Sequence, residues 1–297
     1  MNKALLLINP VSGKMKAKNM IFDIIFELEK YDYEVTVKIT THKGHATSIC
    51  KQSAHKYNLV VCCGGDGTVN EVVAGSLLSK KIPTIGYIPT GSTNDFASSL
   101  GLSNKPKEAI KNIIELPIKP LDVGLFNEKR YFNYIASFGL FTSSSYSVPQ
   151  SNKNTLGYLA YVLEALKDIA NVKPYHISID ADGILFEDDY IFGAVANSTS
   201  VGGIMRLKSD DVNMQDGLFE IILIKYPHSI SDFHKLITSM SASDFYNSDM
   251  FTFLHTKKIV FTTKDNIPWS LDGEYQEGSD IVTIKNIASA INFAGQK

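Results

Sequence analysis

The first 125 residues alternate between short continuous apolar runs and segments with helically spaced apolar positions. The runs Ala-Leu-Leu-Leu-Ile at 4–8 and Leu-Val-Val-Cys-Cys at 59–63 are typical of strands buried on both faces. The same criteria predict strands at 34–39 and 84–88 and helices at 20–28, 44–55 and 68–78. Strands that alternate with helices predict right-handed βαβ units and a mostly parallel sheet.

After about residue 121 short β-rich runs dominate, at 131–137, 175–180, 190–196, 219–224, 258–263 and 281–284. Helical spacing interrupts them only at 156–169 and 230–240. This pattern is typical of an antiparallel sandwich or barrel. We therefore expect an α/β domain over 1–123 and a β-rich domain over 124–297, with a last run at 290–294 that could belong to either.

Charge and cysteine content exclude several classes of protein. Twenty-nine basic and 31 acidic residues give a net charge of −2, so no global attraction to nucleic acid is expected. Cys50, Cys62 and Cys63 form no C-x-x-C pair, which argues against a disulfide framework and a zinc site. No apolar run approaches the roughly 18 residues of a membrane span, and 4–8 is too short for a signal-peptide core. A cytoplasmic protein is expected.

Three predicted strands end in polar turns that contain glycine. These turns are Asn-Pro-Val-Ser-Gly-Lys at 9–14, Gly-Gly-Asp-Gly-Thr-Val-Asn-Glu at 64–71 and Pro-Thr-Gly-Ser-Thr-Asn-Asp-Phe at 89–96. The carboxyl ends of parallel strands share one edge of the sheet, where ligands bind. Glycine lets backbone approach a ligand, and a helix starting at Thr68 would offer N–H groups suited to phosphate. One such turn is usually only a tight connection, but three at one edge favour a ligand site.

The candidate chemistry is that of a kinase. No Walker P-loop or G-x-G-x-x-G follows a strand, and no H-E-x-x-H or triad pattern favours a protease or hydrolase. Asp66 would repel phosphate in a simple anion cradle. It fits a site in which the carboxylate meets a cation, a sugar hydroxyl or an attacking hydroxyl, as in phosphoryl transfer.

Two acidic motifs lie in the second half of the chain. Asp272 and Glu274 flank Gly273 and would face the same side of a strand, although Asp-Gly-Glu is more often a hairpin turn. The segment 210–218 is dense in oxygen donors without the spacing of an EF-hand, and a solvated turn is its commoner explanation. Trp269, the only tryptophan, could line a cleft, but a tryptophan in such a position is more often a core residue.

These motifs resemble the diacylglycerol kinase catalytic-domain family. Gly64-Gly65-Asp66-Gly67-Thr68 is the glycine–aspartate motif that sphingosine and ceramide kinases share and that NAD kinases and phosphofructokinases carry more distantly. Asn9-Pro10-x-Ser12-Gly13 and Gly91-Ser92-x-Asn94-Asp95-Phe96-Ala97 narrow the resemblance to the lipid-kinase branch, and most closely to soluble bacterial diacylglycerol kinase. The similarity continues to Leu271-Asp272-Gly273-Glu274, nearly the whole chain. One departure is Ser92, where the family usually has threonine.

The resemblance implies a fold and a set of site residues. The fold is an N-terminal Rossmann-like three-layer α/β domain and a C-terminal antiparallel β-sandwich, with the active site in the cleft between them. Carried over position by position, the ATP contacts are Asn9, Pro10, Ser12, Gly13, Thr40, Gly64, Gly65, Asp66, Gly67, Thr68, Val69, Asn70 and Ser92. The family's structural Mg²⁺ falls on Asp216 and on the carbonyls of Asn213 and Leu218. Its catalytic carboxylates fall on Glu274, Asp272 and Asp66.

The implied function is an ATP-dependent lipid kinase of phospholipid metabolism. It would transfer the γ-phosphoryl group of MgATP to a lipid hydroxyl, giving phosphatidic acid if the acceptor is diacylglycerol. Contact with the inner face of the membrane would be peripheral, no nucleic acid partner is expected, and a homodimer stays open. The alternatives are another lipid acceptor, such as phosphatidylglycerol or a sphingoid base, and a non-catalytic lipid or nucleotide sensor. Three intact carboxylates argue against the sensor.

Overall fold

The protein is described by a computed structural model over residues 2–13, 20–140, 173–201, 205–208, 211–242 and 245–296. The chain divides into two compact units, which we call unit 1 (Met1–Val123 with Ile287–Lys297) and unit 2 (Gly124–Asn286). Within the described ranges no helix is both long enough and apolar enough to cross a membrane. The helix predicted at 156–169 lies outside the described residues.

Unit 1 is built on a parallel sheet. Its strands are β1 (Asn2–Ile8), β2 (Tyr33–Ile39), β3 (Leu59–Gly64) and β4 (Thr84–Pro89). Its helices are α1 (Ile21–Lys30), α2 (His45–Ser53), α3 (Asp66–Leu77), α4 (Asp95–Ser99) and α5 (Pro106–Glu115). The strand order is β4-β3-β1-β2, and every neighbouring pair is parallel. The predicted α/β fold of this half is confirmed.

The core of unit 1 explains why these elements form. Strands β1 and β3 are buried because their apolar runs leave no polar face, and Ile24 and Leu28 of α1 pack onto them. Helix α5 approaches β4 closely at Gly86, where a Cβ atom would lie 2.8 Å from Ile113 Cγ2. Helices α1 and α5 pack together, as do α2 and α3.

Unit 2 is antiparallel. Its strands are β6 (Arg130–Phe132), β7 (Ile135–Gly139), β8 (Tyr175–Ala181), β9 (Ile184–Ala196), β10 (Ser200–Val201), β11 (Met205–Arg206), β12 (Phe219–Lys225), β13 (Phe251–Thr256), β14 (Lys258–Thr262), β15 (Trp269–Leu271) and β16 (Glu274–Gln276). Helix α6 (Ile230–Ala242) follows β12. Its strand pairs are antiparallel, with β9 between β7 and β8 and also paired to β12. The predicted change to antiparallel structure is confirmed.

Aromatic side chains fill the centre of unit 2. Trp269 is 2% exposed, and its ring contacts Phe126, Phe138 and Phe261 at centroid distances of 5.4, 4.9 and 5.1 Å. The three contacts have steep interplanar angles, the geometry that aromatic quadrupoles favour. Trp269 is therefore a core residue.

Two strands run from one unit into the other, β5 (Lys119–Phe126) and β17 (Ile281–Ala294). The sequence predicted two separate runs at 281–284 and 290–294, and this was wrong, because one 14-residue strand covers both. Its first part pairs antiparallel with β14 and its last part parallel with β4. Lys285 and Asn286 interrupt the apolar pattern between the two runs, and Ser289 has a φ of 50° within the strand.

Candidate active site

The three glycine-bearing turns lie together at the carboxyl edge of the unit 1 sheet. Asn9 Nδ2 donates to Thr68 Oγ1 at 2.9 Å, which ties the turn after β1 to helix α3. Thr90 Oγ1 donates to Ser12 Oγ at 3.2 Å, and the Thr90 N–H donates to the Gly64 carbonyl at 2.8 Å. Hydrogen bonds therefore join all three turns into one surface.

Two glycines let these turns approach closely. Gly13 has φ +55°, and a Cβ atom on it would lie 1.7 Å from the Thr90 carbonyl oxygen. A Cβ atom on Gly91 would lie 2.7 Å from the Gly65 Cα. Larger residues would separate the turns, so the surface depends on backbone-to-backbone contact.

Helix α3 begins at Asp66, two residues before the predicted start at Thr68. Gly65 is the N-cap, with extended backbone at φ −101° and ψ −175°, and an acidic residue in the first turn is favoured by the helix dipole. The Asp66 carboxylate accepts the N–H groups of Asp95 at 3.1 Å and Phe96 at 3.2 Å. Asp66 therefore holds the start of α4 against the glycine turn, a structural role that the sequence did not reveal.

The remaining predicted ATP contacts differ in accessibility. Pro10, Gly67 and Ser92 are exposed, whereas Thr68 and Val69 are buried, so Val69 can offer a ligand only its backbone. Ser92 lines a pocket of about 520 Å³ in unit 1, formed by 89–94 with Met20, Asn104 and Pro106.

Thr40 is buried at the end of β2. Its N–H donates to the Ile8 carbonyl at 2.9 Å, and its hydroxyl lies 3.4 Å from the same oxygen.

A second acidic residue, Glu71, accepts the N–H groups of Gly44 at 2.6 Å and Ala46 at 3.1 Å and so caps helix α2. Glu71 of α3 thus has a structural role, because it fixes the loop that follows Thr40 to helix α3.

The two cysteines that precede the glycine turn in β3 are unreactive. Cys63 is buried at the end of β3, and burial raises the pKa of its thiol to about 12. Burial also raises the pKa of the Cys62 thiol. Both remain protonated near neutral pH, so neither is a nucleophile.

The Asp-Gly-Glu motif is a hairpin turn in unit 2. Asp272 (φ 49°) and Gly273 (φ 82°) are the central residues between β15 and β16, and Leu271 pairs with Glu274 across the turn. The expectation that Asp272 and Glu274 share one side of a strand was therefore wrong. Asp-Gly favours this two-residue turn because both positions require positive φ.

The two carboxylates of this motif have different environments. Asp272 is 7% exposed and accepts the N–H groups of Asn133, Tyr134 and Ile135 at 2.6, 3.1 and 3.0 Å. The Glu274 side chain is 40% exposed and forms an ion pair with Arg130 Nη2 at 2.9 Å. Sequence reasoning missed Arg130, because no local motif connects residues 144 positions apart.

The predicted Mg²⁺ residues form a turn before β12. Asp216 is exposed, its Oδ1 accepts the Leu218 N–H at 2.9 Å, and its own N–H lies 3.4 Å from the Asn213 carbonyl oxygen. The Leu218 carbonyl also accepts Asn286 Nδ2 at 3.0 Å. Across the described ranges, no group of three His, Cys, Asp or Glu side chains is placed to hold a metal. One carboxylate and two carbonyls are nevertheless an oxygen-only set that fits a hydrated Mg²⁺.

A histidine cluster lies elsewhere in unit 2. His176 on β8 contacts Asp189 at 2.8 Å through Nδ1 and Glu187 at 2.7 Å through Nε2. Hydrogen bonding to Asp189 and then to Glu187 raises the pKa of His176 above its usual 6.5. This cluster lies apart from the predicted site residues in the sequence.

Comparison with known proteins identifies the class as a two-domain kinase. Residues 3–126 match the family model of the diacylglycerol kinase catalytic domain, and residues 137–292 match that of the YegS C-terminal NAD kinase beta sandwich-like domain. Diacylglycerol kinase of Bacillus subtilis (strain 168) is 32% identical over 277 residues, which cover 93% of this chain and 90% of that protein. Diacylglycerol kinase of Staphylococcus aureus (strain MRSA252) is 29% identical and covers 92% and 86%.

Solved structures agree with these matches. A proposed diacylglycerol kinase of Bacillus anthracis str. Sterne is 26% identical with a TM-score of 0.80, covering 98% of this chain and 94% of that one. The chain belongs to the diacylglycerol kinase family, as its motifs predicted. The predicted C-terminal β-sandwich is confirmed by the same comparisons.

Proposed function

We propose that the protein is an ATP-dependent lipid kinase that phosphorylates the hydroxyl of diacylglycerol and forms phosphatidic acid. Its family supports the kinase class. The observation that carries the nucleotide half of the proposal is the joined set of glycine-bearing turns at the carboxyl edge of the unit 1 sheet. Since the acceptor is a membrane lipid, the reaction takes place at a bilayer surface that the protein contacts peripherally.

The phosphates of ATP would bind the turns through backbone N–H groups. The segment 64–70 contains the N-cap and the first turn of the 12-residue helix α3, whose N-terminus favours anions. The glycines let the turns pack against one another, since Cβ atoms on Gly13, Gly64 and Gly91 would collide with neighbouring protein atoms. Hydroxyl and amide groups supply the neutral hydrogen bonds, from Asn9, Ser12, Thr40 and Ser92, while Pro10 and Gly13 shape the first turn.

Glu274 is the proposed general base. Both carboxylate oxygens of Asp272 already accept buried N–H groups, so a proton on Asp272 would weaken those bonds. Glu274 is partly exposed, and its side chain can move from Arg130 to a substrate hydroxyl. It takes the hydroxyl proton while the lipid oxygen bonds to the γ-phosphorus and the bond to the β,γ-bridging oxygen breaks, which releases ADP.

Asp66 is the proposed link between phosphate binding and the loop at 91–96. Its carboxylate holds the start of α4 through two hydrogen bonds, so it positions Ser92 and Asn94 beside the glycine turn. Asn213, Asp216 and Leu218 are proposed to hold a Mg²⁺ ion, which would neutralise the Asp216 carboxylate and fix the turn before β12. A separate Mg²⁺ accompanies ATP as part of the substrate.

Incubation with radiolabelled ATP and a panel of lipids in mixed micelles tests this proposal. The panel contains diacylglycerol, phosphatidylglycerol and sphingosine. Label should appear in phosphatidic acid. Label on a different lipid would overturn the diacylglycerol assignment while keeping the kinase class, and a folded protein that labels no lipid would overturn both.

A further inference from the structure

Arg130 begins strand β6, directly after a turn that is held in place within unit 2. This turn contains Asn127 and Glu128, both at positive φ. The Asn127 N–H donates to the Thr283 carbonyl at 2.8 Å, and Asn127 Oδ1 accepts the Thr283 N–H at 2.8 Å. These two hydrogen bonds hold the turn against β17, so the Arg130 side chain starts from a well-defined backbone position.

The guanidinium of Arg130 binds three consecutive residues of β16. Nη1 donates to the Tyr275 carbonyl at 2.9 Å and to Gln276 Oε1 at 3.0 Å, and Nη2 donates to Glu274 Oε2 at 2.9 Å. A planar guanidinium presents its N–H donors in a rigid fork, which suits several acceptors along one strand. Because two of the three contacts do not involve Glu274, they keep the guanidinium beside β16 even when the Glu274 side chain turns away.

The Glu274 side chain needs a partner to hold one orientation. Its backbone follows the Asp272–Gly273 turn and pairs with Leu271 across it. The side chain is 40% exposed, and a long acidic side chain in contact with solvent occupies several rotamers unless a partner restricts it. The Arg130 contact supplies such a restriction. It joins one guanidinium nitrogen to one carboxylate oxygen, so it can break when the carboxylate turns to a substrate hydroxyl.

We propose that Arg130 is the positioning residue of the candidate base Glu274, an inference that rests on the proposed kinase function. Before the lipid hydroxyl arrives, Arg130 holds the carboxylate beside the hairpin turn and limits the orientations from which it reaches that hydroxyl. A base that is already oriented reacts faster, because fewer of its orientations are unproductive. A purely structural clamp on β16 is the competing explanation of the same three contacts, and kinetics separate the two.

The test compares the turnover of Arg130 variants with γ-labelled ATP and diacylglycerol in mixed micelles. Arg130→Met removes the charge and the donors and should lower kcat at least about tenfold, whereas KM for ATP should change less than about twofold, because the proposed nucleotide contacts lie in unit 1. Arg130→Lys keeps the charge but loses the fork, so its kcat should lie between those of the wild type and Arg130→Met. Lys129→Met, which removes the charge of the exposed neighbouring residue, is the matched control and should keep the wild-type kcat.

The same substitutions in the Glu274→Gln background separate positioning from structural damage. A residue that acts through Glu274 loses its effect once the base is gone, so Arg130→Met should lower kcat there by less than about twofold further. Structural damage to β16 would instead lower kcat by the same factor in both backgrounds. If the emission of Trp269 shows that Arg130→Met does not fold, Arg130→Lys completes the same cycle.

The outcomes distinguish this role from the proposed function. Labelled phosphatidic acid from the wild type, together with a normal kcat for Arg130→Met, would overturn the positioning role and leave the kinase assignment intact. An equal loss in both backgrounds would also overturn it, because Arg130 would then act independently of Glu274. A folded wild type that labels no lipid would overturn the proposed function itself, and the role of Arg130 with it.

Discussion

Replacement of Asp272 by asparagine tests whether the Asp272 carboxylate stabilises the fold, whereas the Glu274 carboxylate is the catalytic one. The Asp272 carboxylate is buried and accepts three N–H groups, those of Asn133, Tyr134 and Ile135. Asparagine has the same shape and tolerates the φ of 49° at this position, so the turn can be kept. The change replaces one acceptor oxygen with an NH₂ donor and removes the charge.

The expected cost follows from these three bonds. If the remaining oxygen keeps Tyr134 and Ile135, the Asn133 N–H faces a donor, and an unsatisfied buried donor costs about 1–3 kcal/mol. Each retained hydrogen bond then has an uncharged acceptor and weakens by about 1 kcal/mol. Asp272→Asn should therefore lower the free energy of unfolding by about 3 kcal/mol or more. Glu274→Gln should lower it by less than about 1 kcal/mol, because a partly exposed ion pair contributes little.

Urea denaturation followed by tryptophan fluorescence measures this difference. Trp269 is the only tryptophan and is buried in the unit 2 core, so its emission reports the unit that contains the hairpin. Glu274→Gln is the matched control for stability and the test variant for turnover. It should lose at least about a hundredfold in turnover, the usual scale for a positioned base, with unchanged ATP affinity.

Two results would argue against these roles of Asp272 and Glu274. Equal denaturation midpoints for Asp272→Asn and the wild type would show that the three hydrogen bonds contribute little to stability. Near-normal turnover of Glu274→Gln would show that the base is another residue.

Four further predictions test the remaining parts of the site. Asp66→Ala should abolish lipid phosphorylation because the α4 loop loses its anchor; normal activity of the folded variant would contradict this. Gly13→Ala should raise KM for ATP well above that of Gly44→Ala, since only the former places a Cβ atom against backbone, and equal KM values would argue against the turn contact. Asp216→Ala should lower both activity and Mg²⁺-dependent thermal stabilisation, and retention of that stabilisation would place the ion elsewhere. His176, whose pKa is raised, stabilises the fold below about pH 6.5 and loses this effect as pH rises through its folded pKa, so His176→Asn should lower Tm below about pH 6.5 and leave Tm unchanged well above the folded pKa.

The strands and helices whose residues follow a single hydrophobic pattern were predictable from the sequence. Strands β1 and β3 are continuous apolar runs, and their burial on both faces follows directly. Strand β17 was not predictable as one element, because Lys285 and Asn286 interrupt its apolar pattern and each half pairs with a different neighbour. The start of α3 was placed two residues late, because the glycine turn masks an acidic first helical residue.

The candidate site was predictable where its residues are close in sequence. The glycine-bearing turns are local motifs, and the parallel order of the sheet brings them to one edge. The role of Asp272 was not predictable, because its three hydrogen-bond donors lie 137 to 139 positions away. The role of Asp66 was not predictable either, because the rest of helix α3 and strand β4 separate it in the sequence from its hydrogen-bond donors Asp95 and Phe96.

Transfer of label from γ-labelled ATP to diacylglycerol in mixed micelles, measured for the wild type beside Glu274→Gln, tests the proposed kinase activity. We expect labelled phosphatidic acid with the wild type and at least about a hundredfold less with the variant, while both bind ATP equally. A wild-type protein that binds ATP and leaves diacylglycerol unlabelled would contradict it.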